Sequence, residues 1–258
     1  MELSGKTLII TGAARGIGAA LARRFDREKP EAMVLLDIDP PGLEQLAGQL
    51  ACGDIVIDRC DVADPAAIGA AVRDLERRRG RVDLFCANAG IFPRGGADAP
   101  LDIWQRAIDI NLMSHVHAAR ACLPGMLARG AGYFLHTISA AGLLSQIGSA
   151  PYTATKHGAL GFAEWLAITH GDAGIGVTAL CPQGVDTDML ADIGNPATVA
   201  VDGLVSAEAV ADCALDAIRA GKFLALPHPD VADYFRRKAE DHDRWLRGMR
   251  RLQKNLAP

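Results

Sequence analysis

The chain has 258 residues, half of them hydrophobic and 22% charged, which excludes a disordered polypeptide and suits one α/β domain with a sizeable core. A formal net charge of −4 carries no general attraction to nucleic acid or to an anionic membrane surface, so neither is expected as a partner. The six cysteines (Cys52, Cys60, Cys86, Cys122, Cys181, Cys213) form no C-x-x-C pair and read as reduced core thiols.

The opening "MELSGKTLIITG" enters a strand-like run at once, and no apolar stretch is long enough for a membrane span, so a soluble, cytoplasmic protein is expected. The first strand, Thr7 to Thr11, leads through "TGAARGIG" into a helical pattern over Ile17 to Arg27. Glycines at Gly12, Gly16 and Gly18 let a strand-to-helix turn approach a pyrophosphate, which the free N–H groups of the helix start favour. The spacing is G-x-x-x-G-x-G, and the strand-turn-helix context is what makes it a nucleotide signal.

A second strand, Ala32 to Asp37, ends nineteen residues beyond Gly18 on a carboxylate placed to accept hydrogen bonds from adenosine ribose hydroxyls. Asp37 therefore favours NAD over NADP; Arg15 is the opposing candidate, as a partner for a 2′-phosphate. A helix over Gly42 to Leu50 and a third strand, Asp54 to Cys60, place Asp61 and Val62 at an adenine-facing position. Pro65 to Arg79 is helical, and the fourth strand, Val82 to Ala87, delivers Asn88, Ala89 and Gly90 to the same edge. Ile17 and Ile38 complete the expected cofactor wall.

A long helical stretch, Ile103 to Arg129, carries a break near Asn111, and a fifth strand, Tyr133 to Ile138, is followed by Ser139. The helix Pro151 to His170 starts with Tyr152 and Lys156, i and i+4 on one face. The sixth strand, Val177 to Pro182, precedes "QGVDTDML"; a helix over Ser206 to Ala220 and a seventh strand, Lys222 to Leu226, follow. Near-continuous apolar strands alternating with helices predict a doubly wound parallel seven-stranded sheet in a single domain, with helices on both faces. Ligands bind such a sheet outside the carboxyl ends of its strands.

The segment 189–220, and Met189 to Val205 above all, reads as a lid over a hydrophobic substrate. The tail 228–258 reads as an Arg-rich amphipathic helix on the body, with a lid or subunit contact as the alternative. His115 and His117, two apart on a helix, and His136 in a strand carry no metal pattern, and His157 reads as packing or capping.

Taken in order and spacing, "TGAARGIG", "NAG" at Asn88 to Gly90, Asn111 in "DINL", and Ser139, Tyr152 and Lys156 resemble the short-chain dehydrogenase/reductase family from Lys6 to about Leu226. The resemblance implies a Rossmann fold and an NAD-dependent oxidoreductase acting on a secondary alcohol or ketone, assembled as a homodimer or homotetramer. It implies that Tyr152 exchanges the hydroxyl proton, that Ser139 orients the oxygen, and that Lys156 lowers the phenol pKa and holds the cofactor ribose. Asn111, through backbone and side chain, would position a water leading protons to solvent. Where the family commonly has Pro-Gly after the sixth strand, Gln183 stands between Pro182 and Gly184; Val185 and Thr187 still suit the nicotinamide carboxamide. Substrate is expected over Ser139 and Tyr152, bordered by Ile91, Leu143, Leu144, Gln146, Gln183 and the segment from Met189 to Val205. Two other classes stay open: a non-redox lyase or dehalogenase on this fold, which usually changes the lysine, and a regulatory cofactor-binding protein, which usually loses the tyrosine.

Overall fold

Strands that are apolar on both sides must be covered on both sides. The computed structural model, which describes residues 1–193, 198 and 201–256, meets that demand with helices on each face of one sheet. In chain order the first half comprises β1 (Thr7–Thr11), α1 (Gly16–Asp26), β2 (Ala32–Asp37), α2 (Pro40–Ala47), β3 (Ile55–Arg59), α3 (Pro65–Arg79), β4 (Leu84–Ala87) and α4 (Leu101–Ile108). The second half comprises α5 (Ser114–Arg129), β5 (Gly132–Thr137), α6 (Ala150–His170), β6 (Ile175–Leu180), β7 (Val185–Asp186), α7 (Met189–Ile193), β8 (Val205–Ser206), α8 (Ala207–Ala220), β9 (Leu224–Ala225), α9 (Asp230–Glu240) and α10 (His242–Leu256).

Seven strands form one parallel sheet in the order β3-β2-β1-β4-β5-β6-β9. Side chains alternate across it: Leu8 and Ile10 of β1 join Leu21 and Phe25 of α1 and Leu215 and Ile218 of α8 in one core. Ile9, Val34 and Phe85 join Leu75 of α3, Met126 of α5 and Leu166 of α6 in the other. The chain runs outward from β1 to β3 and returns to β4 beside β1, so strand order reverses between β1 and β4. The crevice at their carboxyl ends is where this topology binds ligands.

Local chemistry sets the helix ends. Asp64 accepts from the Ala66 N–H at the start of α3, and Gly80 closes it in the left-handed conformation that glycine adopts most easily. Ser149 Oγ accepts from the Tyr152 N–H at 3.1 Å and so fixes where α6, and with it Tyr152, begins.

The break expected near Asn111 is a π-helical turn, Asp109–Met113, joining α4 to α5. Two features depart from the expected elements. The tail divides at Asp241 into α9 and α10. Within the expected lid range 189–220, the part from Ala207 on is α8, whose Val210, Ala211, Ala214 and Leu215 are fully buried against the sheet. Residues 194–197, 199 and 200 of that range, and 257–258 of the tail, lie outside the described residues. The two-residue pair β7 and β8 is too short to show in a sequence pattern. No helix among the described residues is long and apolar enough to cross a membrane.

His115 and His136 prove to be a unit: both are fully buried, with their Nδ1 atoms 2.8 Å apart, one donating to the other. Each Nε2 is buried without a hydrogen-bond partner. Burial lowers both pKa values, that of His136 to about 3, so both rings are neutral at pH 7. The unfolded chain takes these protons first as pH falls below 6.5, so the stability present above that value is lost towards pH 3. His136→Leu is accordingly expected to lose about 2 kcal/mol less than the wild type between pH 7 and pH 5, measured by urea unfolding; an unchanged difference would refute the assignment.

Candidate active site

The glycine turn is built by packing as much as by backbone freedom. Gly12 (φ 64°) and Gly16 (φ 55°) adopt left-handed conformations, and a Cβ on Gly12 would lie 2.8 Å from Ala89 Cα. A Cβ on Gly18 would overlap the Gly12 carbonyl oxygen. Arg15, at the N-cap of α1, makes no side-chain cap, so the first N–H groups of that helix have no side chain of the cap residue on them. This is a cradle that side chains would fill, and it fits the diphosphate of a dinucleotide.

Asp37 Oδ2 accepts from the Ala14 N–H at 2.9 Å and Oδ1 from the Asp39 N–H at 3.1 Å, so the carboxylate fixes the turn as well as facing the cavity. Arg15 stands 4.0 Å from Asp188, both side chains exposed. Asp61 holds Arg106 of α4 at 3.0 Å and caps the Ala63 N–H, and these contacts keep its carboxyl below the usual range against the opposing effect of burial.

Asn88 proves to be a brace. Its Nδ2 donates to the Thr11 and Gly12 carbonyls at 3.0 and 3.3 Å, and its Oδ1 accepts from Thr137 Oγ1 at 3.0 Å. Thr11 Oγ1 in turn accepts from the Asn88 and Ala89 N–H groups. The carboxyl ends of β1, β4 and β5 are thus locked together around one amide.

Across the crevice, Ser139 follows β5 with φ 149° and ψ 156°, a region that disfavours any residue with a Cβ. Its Oγ accepts from the Ala141 N–H at 3.1 Å and donates to the Pro182 carbonyl at 3.4 Å. Tyr152 packs on Phe92 with ring centroids 4.7 Å apart. Lys156 Nζ donates to the Thr137 carbonyl at 3.0 Å and lies 5.6 Å from the Tyr152 ring centre. Gly90 passes close by: a Cβ there would sit 3.3 Å from Asn111 Oδ1 and 3.5 Å from Lys156 Nζ.

Among the chain's own groups, burial raises the Tyr152 pKa and the hydrogen bond with Ser139 partly offsets it. Burial also lowers Lys156 to about 8, because a desolvated ammonium is disfavoured. Asn111 Oδ1 accepts from the Ile91 N–H at 2.9 Å, and its Nδ2 donates to the Ile91 carbonyl at 3.0 Å and to Thr155 Oγ1 at 3.4 Å.

One cavity of about 1090 Å³ joins the two ends. It takes in the residues expected at the cofactor and substrate sites except Gly18, which packs beneath the turn, Leu143, which is buried in the core with Ile138 and Leu160, and Asn111, which is fully buried behind the wall. Arg15, Ile17, Ile38, Asp61 and Val62 line one end, and Pro182, Gly184, Val185 and Thr187 lie between that end and Leu144, Gln146, Gln183 and Met189. Gln183 has a buried Oε1 without a partner, while its N–H donates to His228 Nδ1 at 3.2 Å. Three contributors are not read from the sequence, Thr11, Phe92 and Arg106, while the tail adds the cavity face of α9 and α10. A threonine ending the first strand is a visible signal for Thr11; the other two depend on long-range folding.

The family model for short chain dehydrogenase matches residues 6–197. The chain is 31% identical to 1-deoxy-11-beta-hydroxypentalenate dehydrogenase of Streptomyces exfoliatus over 93% of this chain and 90% of that protein. It is 30% identical to meso-2,3-butanediol dehydrogenase of Serratia marcescens over 73% of this chain and 75% of that one. Among solved structures, a short chain dehydrogenase/reductase from Burkholderia phymatum in complex with NAD superimposes with a TM-score of 0.86 at 28% identity, covering 94% of this chain and 96% of that one.

Proposed function

The chain belongs to the short-chain dehydrogenase/reductase family and is an oxidoreductase of that family, and from this premise we propose that it uses NAD to interconvert a secondary alcohol and a ketone. The observation that carries the proposal is the single cavity that joins the glycine turn and Asp37 to Ser139, Tyr152 and Lys156. Gly12, Gly16 and the start of α1 would hold the diphosphate, Asp37 the adenosine ribose, Lys156 the other ribose, and Val185 and Thr187 the carboxamide. A bound nicotinamide supplies the hydride acceptor or donor and, when oxidised, a positive charge in the site.

The chain's own groups handle the proton. Tyr152 Oη takes the hydroxyl proton during oxidation and returns it during reduction. Ser139 Oγ donates to the substrate oxygen and stabilises developing charge on it. Lys156, as an ammonium, favours the tyrosinate, and Asn111 positions the water that passes protons outward.

The test follows absorbance at the reduced-nicotinamide band with NAD or NADP and a panel of secondary alcohols. Turnover with NAD is expected, and neither turnover nor cofactor binding would sink the proposal. A carboxylate at position 37 repels a 2′-phosphate, so Asp37→Ser is expected to narrow the NAD preference by about tenfold in kcat/KM ratio. An unchanged ratio would count against that role.

The protein is further proposed to be cytoplasmic and to pair through α4, α5 and α6, because Trp165 and Ile168 of α6 are 52% and 83% exposed and Leu101 of α4 is 85% exposed. Sedimentation should show a homodimer or homotetramer; a strictly monomeric profile would contradict it.

A further inference from the structure

The last two helices form part of the substrate wall. Val231 of α9 is fully buried in a cluster with Ile138, Leu143 and Leu160, and Tyr234 and Trp245 pack against it. Lys238 Nζ donates to the Leu143 carbonyl at 2.6 Å and lies 3.4 Å from His157 Nε2, beside Lys156. Tyr234 Oη donates to Asp202 at 2.8 Å. These anchors tie the tail to the Ser139 and Tyr152 end of the cavity, away from the glycine turn.

From there α10 turns Trp245, Met249 and Leu252 into the cavity, flanked by Arg244 and Arg251. These arginines are seven residues apart, two turns of helix on one side, about 10 Å along the axis. Arg237 of α9 lines the same wall and lies 5.9 Å from the Tyr234 ring. All three are exposed, and none makes an ion pair among the described residues. Two carboxylates, Glu240 and Asp241, also border the wall, but Asp241 Oδ1 already accepts from the Arg244 N–H at the start of α10. An apolar strip edged by unpaired guanidinium groups matches a molecule with an apolar body and an anionic group.

We infer that the substrate is an amphipathic anion, a secondary alcohol or ketone on an apolar body bearing a carboxylate or phosphate that meets Arg244 and Arg251 at the cavity mouth. The identity of the reacting group rests on the oxidoreductase proposal above; the anion site is independent of turnover.

The test is calorimetric titration of the full chain, with and without NAD, using octanoate, octyl phosphate and octanamide. One or both anions should bind about tenfold or more tightly than the amide at low salt, the tighter one distinguishing carboxylate from phosphate. R244Q/R251Q should collapse the preference, whereas R247Q, on α10 but off the cavity wall, should keep it. Equal binding of anion and amide, no anion binding at millimolar concentration, or an equal loss in R247Q would overturn the inference. An anion preference without oxidation of any secondary alcohol would overturn the oxidoreductase proposal and leave the anion site standing. Turnover of neutral alcohols without an anion preference would do the reverse.

Discussion

Tyr152→Phe is expected to lower kcat by about 10²–10⁴-fold, the range that one positioned acid/base group contributes, while the affinity for NAD stays within a few-fold. Phenylalanine keeps the ring that packs on Phe92 at 4.7 Å and leaves the Ser149 cap of α6 in place, so the loss falls on the proton and not on the fold. Stopped-flow turnover together with calorimetric NAD titration checks both halves, and substantial residual kcat would refute the acid/base role. The pH profile adds a second readout. Burial raises the phenol pKa, so it is the cationic partners that make tyrosinate accessible. Removing the ammonium in Lys156→Met should therefore move the rising limb of alcohol oxidation to higher pH. A limb that stays in place would mean that Lys156 holds the cofactor without tuning Tyr152.

The sheet and the order of its motifs were legible because each rests on local pattern: uninterrupted apolar runs make buried strands, and glycines after β1 or a Tyr and Lys four apart need only a few residues to be recognised. What eluded the sequence depends on partners distant along the chain. Asn88 reads as part of the cofactor edge, and its bracing role shows only when Thr11 and Thr137, 77 and 49 positions away, converge on its amide. His115 and His136 look unrelated because α5 and β5 meet only in the folded core. A motif displays the charges around a phenol but not its desolvation, and burial of Tyr152 raises its pKa against the effect of those charges. The tail shows its amphipathic pattern in sequence, yet which body surface it covers is decided by Lys238 reaching the Leu143 carbonyl.

Gly18→Ala is the second large effect expected, and it separates packing from conformational freedom. Gly18 is helical, so an added methyl should help α1 by propensity alone, by about 0.5–1 kcal/mol. Its Cβ, however, would overlap the Gly12 carbonyl oxygen and lie 2.8 Å from Asn88 Nδ2. Neither neighbour is the end of a flexible chain. Gly12 is held against Ala89, and the Asn88 amide is fixed by bonds to Thr11, Gly12 and Thr137. The turn must therefore move off the end of β1, and overpacking of this kind costs about 1–3 kcal/mol or more. Since the same turn is the proposed diphosphate cradle, the NAD dissociation constant should rise by about a hundredfold, with a lower Tm in the absence of cofactor. Gly161→Ala supplies the contrast for the cofactor turn, because a Cβ there meets nothing within 4 Å in its own chain and lies on α6, outside the turn, so it should leave the NAD dissociation constant unchanged. Equal responses of the two variants in Tm and NAD titration would show that the contact between Gly18 and Gly12 does not set the turn.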